Sequence, residues 1–184
     1  SMWSNGACRV TKANSEGWIA LKTDSRRRMG RWFIIASDFF QEPDMPFTNP
    51  SPAEICHLLK TSHTVAVVGL SPNPHRPSFH VAKALQGFGH RIVPVRPLVE
   101  EVLGEPAYAN LEAIPFPVDI VDVFRAPEHV PAIVDSCIKL GIKRLWLQDG
   151  VVHEEAALRA QAAGITVVMD RCMFRDHTQL CADV

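Results

Sequence analysis

At 184 residues the chain is long enough for one ordinary hydrophobic core and too short for two comfortable domains. A formal charge of −1 with 47% apolar residues describes a globular protein without the basic field that nucleic acid requires, so nucleic acid is not an expected partner. No apolar run approaches the roughly 20 residues of a bilayer-spanning helix, so no membrane association is expected.

The first 50 residues differ in composition from the rest, with seven Lys/Arg against five Asp/Glu where residues 51–184 hold twelve against fifteen. They lack clear periodicity and end in the turn-rich stretch Pro43-Asp44-Met45-Pro46-Phe47-Thr48-Asn49-Pro50. Residues 1–50 therefore read as an extension or linker, disordered in part, and residues 51–184 as the folded domain. Arg26-Arg27-Arg28 reads as a solvated charge run, and the apolar stretch after it is too short for an export signal.

From residue 51 a regular beat begins. Ser51 before Pro52, followed by Ile55, Leu58 and Leu59, predicts a short capped amphipathic helix. Five apolar runs follow, at residues 64–68, 91–95, 118–123, 144–147 and 165–168, starting about 25 residues apart as repeated strand–helix units do. After the first run, Ser78 is placed to cap a helix bearing Val81, Ala82, Leu85 and Phe88, with Gly89 as its stop. Residues 98–117 read as a long connection with minor structure. A further helix carries Val130, Ile133, Val134, Cys137 and Ile138, with Pro131 in its first turn and Gly141 at its end. An alanine-rich helix from about His153 to Ala163 precedes the last run.

This pattern predicts an α/β fold: a Rossmann-like three-layer α/β/α sandwich around a five-stranded parallel sheet in the order 3-2-1-4-5. Such sheets bind ligands outside the carboxyl ends of their strands. Those ends read Gly69-Leu70-Ser71, Arg96-Pro97, Arg125, Gln148-Asp149-Gly150 and Asp170-Arg171-Cys172. A glycine loop leading to a helix amino terminus near Ser78 offers N–H groups to phosphate, and Arg76, Arg96 and Arg125 add planar cations. An anionic ligand is expected. A dinucleotide reader would show G-x-G-x-x-G and an acid after the second strand, whereas this chain has Gly69-Leu70-Ser71-Pro72-Asn73-Pro74 and Arg96. NAD is disfavoured, and the residues alone leave NADP and coenzyme A tied.

The five cysteines are odd in number and lack the short paired spacing of a zinc site or redox motif, which fits a reducing, cytoplasmic setting. The histidines form no metal-binding pair, so no metal is expected. Cys172, near Arg171 at a strand end, is either an inert half-buried thiol or a reactive one. His177 reads as solvated and Trp146 as core.

The segments Val65-Ala66-Val67-Val68-Gly69-Leu70-Ser71, Val118-Asp119-Ile120-Val121-Asp122-Val123-Phe124-Arg125-Ala126-Pro127, Trp146-Leu147-Gln148 and Val167-Val168-Met169-Asp170-Arg171-Cys172-Met173 together resemble the stand-alone CoA-binding protein family. More distantly they are similar to the CoA-binding domain of the succinyl-CoA synthetase alpha subunit. The resemblance covers about residues 51–180. It implies that Gly69, Leu70, Ser71 and the loop through Arg76 and Ser78 cradle the CoA phosphates, with Val95, Arg96 and Pro97 by the adenosine. Phe124, Arg125 and Pro127 would line the middle of the groove. Leu147, Gln148, Asp149 and Gly150, with Asp170, Arg171 and Cys172, would surround the pantetheine arm. Two positions depart from the family pattern: Arg96 replaces its usual Asn, and Asp149 its usual apolar residue.

The synthetase's phosphohistidine lies in a further domain. The resemblance thus implies non-catalytic binding of coenzyme A or an acyl-CoA, with no catalytic residue assigned. The alternative is a small NADP-dependent oxidoreductase, for which Cys172 and Asp170 are the only proton donors in view. A homodimer covering a sheet edge, or another protein partner, is compatible with either.

Overall fold

A computed structural model describes residues 46–181; the first 45 residues of the expected extension, with the arginine run, lie outside the described residues. The first two apolar runs form β1 (Thr64–Val68) and β2 (Arg91–Val95). A small antiparallel pair follows, β3 (Glu101–Val102) and β4 (Glu105–Pro106). The remaining runs form β5 (Ile120–Val123), β6 (Arg144–Leu147) and β7 (Thr166–Val168). Five helices flank them: α1 (Pro52–Lys60), α2 (Pro77–Gly87), α3 (Val130–Leu140), α4 (Glu154–Ala162) and α5 (Met173–Leu180).

Alternate residues of the strands feed two apolar layers, as period-two geometry requires. Val65, Val67, Ile92, Ile120 and Trp146 face Ile55 and Leu59 of α1, Val81 and Leu85 of α2 and Met173 of α5. Ala66, Val93, Val121, Leu145 and Leu147 face Val130 and Val134 of α3 and Ala157 and Ala160 of α4. Trp146 is fully buried, as expected, and its indole N–H donates to the Arg171 carbonyl at 2.6 Å.

The three-layer architecture and the parallel pairing match the expectation, but the strand order does not. The five parallel strands run β2-β1-β5-β6-β7, which is 2-1-3-4-5 and not 3-2-1-4-5. The reason lies at β2. Its outer edge is taken by the connection itself: Tyr108 N–H donates to Pro94 O at 2.9 Å and Arg96 N–H to Tyr108 O at 2.8 Å. Proline lacks the donor an interior strand needs and is suited to an edge. The third strand therefore pairs on the other side of β1, where the Asp119 carboxylate accepts from the His63 and Thr64 N–H groups at 2.9 and 2.8 Å. The reversal of strand order moves accordingly, to the crevice between β1 and β5.

Local chemistry sets the helix ends. Ser51 caps α1 as the sequence predicts, and Glu54 completes a reciprocal capping box with it. The α2 cap falls on Arg76 and not on Ser78, because Pro77 takes the first helical position. Helix α5 is an addition to the predicted elements, and it buries Met173 and Asp176. On it His177, expected to be solvated, is half-buried and stacks on Phe88 with centroids 4.1 Å apart.

Two long-range ties were not foreseen. Cys56 of α1 and Cys181 after α5 form a disulfide across 125 residues, with Cα atoms 5.5 Å apart, so the odd cysteine count conceals a pair. Asn49 clips the segment before α1 to the end of β7: its Oδ1 accepts from Met169 N–H at 2.7 Å and its Nδ2 donates to Met169 O at 2.9 Å. Asn49→Ala strands both Met169 backbone groups. We expect it to lower stability by about 1–3 kcal/mol in urea unfolding, with the m-value unchanged. A loss below about 0.3 kcal/mol would show that water replaces the clip.

Among the described residues no helix is long and apolar enough to cross a membrane, and no cluster of three or more His, Cys, Asp or Glu is placed to hold a metal ion.

Candidate functional site

The β1–β5 crevice opens at Gly69, the residue after β1. Its φ is +90°, and a Cβ there would stand 2.8 Å from the Phe124 carbonyl oxygen. Only glycine lets the two strand ends approach this closely. Around that approach lie three adjoining hollows.

The central hollow, about 580 Å³, is lined by Gly69, Ser71, Asn73, Arg76, Ser78, Arg96 and Phe124. Toward α3 lies one of about 290 Å³ with Gly69, Val95, Pro97, Asn110, Arg125 and His129 on its wall. Toward α5 lies a third, about 410 Å³, bounded by Pro77, Phe124, Arg125, Gln148, Asp149 and Cys172. Gly69 and Arg125 each border two of them, which makes one rim along the strand ends.

The three arginines chosen from sequence all reach this rim. Among the described residues none of Arg76, Arg96 and Arg125 is in an ion pair, whereas Arg159, Arg171 and Arg175 each hold a carboxylate. Arg125 Nη2 lies 3.0 Å from His129 Nε2, a contact that needs that nitrogen unprotonated. The amino terminus of α2 faces the central hollow with no side-chain cap and no acidic residue in its first turn. Unpaired guanidinium groups beside an uncapped helix start make a site for anions.

The loop after Gly69 is built differently from the expected phosphate cradle. Ser71 N–H donates to Ser78 Oγ at 3.1 Å, Asn73 N–H to Ser71 Oγ at 3.2 Å and His75 N–H to Asn73 Oδ1 at 2.9 Å. Short polar side chains satisfy these backbone donors in successive local turns. The Ser71, Asn73 and His75 N–H groups are thus engaged within the loop, and the cations beside it are the arginines, next to the positive end of α2.

Other predicted positions hold the framework. Leu70 and Leu147 are fully buried and their side chains belong to the two cores. Pro127 starts a short 3-10 turn before α3. Asp170, at φ +57°, accepts from Gly150 N–H at 2.7 Å and so ties the β6 and β7 loops together. Arg171 is paired with Asp176 of α5, which is 1% exposed. Asp149 is held by both terminal nitrogens of Arg175 at 2.9 Å.

Four wall residues escaped sequence reasoning: Asn110, Glu112, His129 and Ser136. Ser136 Oγ donates to Glu112 at 2.7 Å and holds its carboxyl below the ordinary range. Nothing in their spacing marks them, since they come from the irregular connection, the 3-10 turn before α3 and α3 itself. Asp122 also escaped notice, although an acid in the middle of an apolar run is a visible signal. Of the two free cysteines among the described residues, Cys137 is buried in the α3 layer, which pushes its thiol up to about 12, and Cys172 is half-buried on the α5-side hollow.

Comparison with known proteins adds to this geometry. A family model described as CoA binding domain matches residues 63–178. The uncharacterised protein YneT of Bacillus subtilis is 43% identical over 129 residues, covering 70% of this chain and 96% of that one. An ADP-forming acetate–CoA ligase of Archaeoglobus fulgidus is 26% identical over 126 residues, 63% of this chain but 18% of the ligase. Among solved structures, a hypothetical protein from Pyrococcus horikoshii aligns with a TM-score of 0.69 at 35% identity, covering 74% of this chain and 99% of that one. A protein from Thermus thermophilus aligns with a TM-score of 0.68 at 36% identity, covering 71% and 99%.

Proposed function

The chain belongs to the CoA-binding domain family, and from that premise we propose that it binds coenzyme A or an acyl-CoA, without turnover, along the rim of the strand ends. The observation that carries this reading is the set of unpaired arginines, Arg76, Arg96 and Arg125, gathered around Gly69 and the uncapped start of α2. Coenzyme A is a long polyanion with phosphates near one end and an amide-rich arm at the other. The central hollow suits the phosphates, because its cations have no carboxylate competing for them among the described residues. The α3-side hollow, walled by Val95, Pro97 and Ile133, suits a planar base. The α5-side hollow, with Gln148, Asp149 and Cys172, suits the pantetheine arm. Binding without turnover makes the protein a carrier or sensor of CoA, or a subunit that delivers it to a partner.

Calorimetric titration with CoA, acetyl-CoA and NADPH side by side tests the reading. CoA or acetyl-CoA is expected to bind, and Arg96→Ala to weaken binding by roughly tenfold or more, the worth of a charge-assisted contact. NADPH binding with no response to CoA would overturn the reading and turn attention to a reductase.

A further inference from the structure

The α2–α5 face of the sheet carries an ionisable group that the anion site leaves unused. Asp122, in the central strand β5, is fully buried, with Val67 and Trp146 beside it on the neighbouring strands. Its Oδ1 accepts a 2.8 Å hydrogen bond from Gln148 Nε2, and its Oδ2 has no partner among the described residues. Gln148 is 4% exposed, and it lines the hollow shared by Phe124, Arg125, Asp149 and Cys172. An ionised carboxylate only accepts hydrogen bonds, so it can hold only the NH2 end of the glutamine amide. The carbonyl Oε1 is then the end left for the groove.

We propose that Asp122 is a positioning residue that turns the Gln148 carbonyl toward the ligand, so that this point of the groove reads an N–H donor such as a secondary amide of a pantetheine arm. The identity of the donor rests on the CoA reading; the coupling of Asp122 to Gln148 does not.

Burial raises the Asp122 carboxyl from its ordinary value to about 7, against the opposing pull of the Gln148 bond. No charged group contributes to that shift. On α5, Asp176 is engaged by Arg171, and Cys172 and Arg175 stand at the helix start. On α2, His80 and Lys83 are exposed, as are Glu54, His57 and Lys60 on α1. Arg125 and Asp149 stand at the groove rim. Protonation gives Asp122 an O–H that needs an acceptor, and a half-turn of the Gln148 amide supplies its carbonyl. The groove then meets an NH2 donor in place of an acceptor, and an amide N–H of the ligand loses its partner. Because the folded value lies above the unfolded one, Asp122 also costs the fold stability as pH rises from about 4 through 7.

Two measurements on the full chain test this. In the ligand-free protein, the side-chain NH2 resonances of Gln148, assigned by their loss in Gln148→Met, should shift with pH around a midpoint near 7. In the isosteric Asp122→Asn the shift should vanish. In calorimetry, wild-type affinity for CoA should fall about 5–10-fold from the alkaline to the acid side of that midpoint, the worth of one hydrogen bond. Asp122→Asn, which has no charge to gain or lose, should show no such fall. The phosphate groups of CoA titrate alike against both proteins, so the difference between the two profiles isolates Asp122. A Gln148 signal indifferent to pH in the wild type, or an Asp122→Asn profile superimposable on it, overturns the inference. If neither protein binds CoA at any pH, the CoA reading falls, and the resonance titration alone decides the coupling.

Discussion

Replacing Gly69 by alanine is expected to remove most CoA binding and to destabilise the fold by about 2–5 kcal/mol, the sum of a strained backbone and an overpacked contact. The two causes separate cleanly. A φ of +90° strains any residue with a Cβ, and here the Cβ would also press to 2.8 Å on the Phe124 carbonyl oxygen and 3.0 Å on the Arg125 side chain. Relief requires the β1 and β5 ends to part, which widens the crevice and moves Arg125 off the rim. Gly89 is the matched control, with φ +92° and nothing within 4 Å of its added Cβ. Gly89→Ala carries the backbone strain alone, so about 1–2 kcal/mol of stability should go while CoA affinity stays within about twofold. Equal losses of affinity in both variants would mean that general destabilisation, not the closure of the β1–β5 crevice, controls the site.

Much of this architecture is legible in the chain because local rules and tertiary structure agree there. The Ser51 cap, the apolar period of α3 and its Gly141 stop all read directly, since each signal lies within a few residues of its effect. The strand order was misread because nearest-neighbour reasoning set the third strand beside the second. Pro94 held the corrective signal, an edge residue that the order 3-2-1-4-5 would have put inside the sheet. Helix α5 stayed hidden because Met173–Leu180 is mostly polar and buries an aspartate against Arg171, a pairing that hydropathy counts against burial. The Cys56–Cys181 bond spans 125 residues and follows only once α1 and α5 are known to pack. At the rim, Arg96 and Arg125 were identifiable because charge and position at a strand end suffice to place them, and Arg76 because it stands just before a helix amino terminus. The loop donors were not, since whether Ser71 and Asn73 N–H groups stay free depends on side chains that turn back on the loop.

Arg125→Glu is expected to cut CoA affinity by about 100-fold or more while leaving stability within about 0.5 kcal/mol. The small stability effect follows from exposure: among the described residues the guanidinium holds no carboxylate, and its one side-chain hydrogen bond is to His129 Nε2 at 3.0 Å. The large affinity effect follows from its place between the α3-side and α5-side hollows, where a ligand spanning both must pass it. Removing the cation forfeits a charge-assisted bond to an anionic group of the ligand, and the carboxylate put in its place repels that group. Arg125→Lys keeps the charge but loses the planar fork, so about a tenfold loss should remain. Salt should weaken wild-type binding more than that of Arg125→Glu, because screening acts on the attraction the variant lacks. If Arg125→Glu binds CoA within about threefold of wild type, no anionic group of the ligand sits beside Arg125, and Arg76 and Arg96 must account for the phosphates.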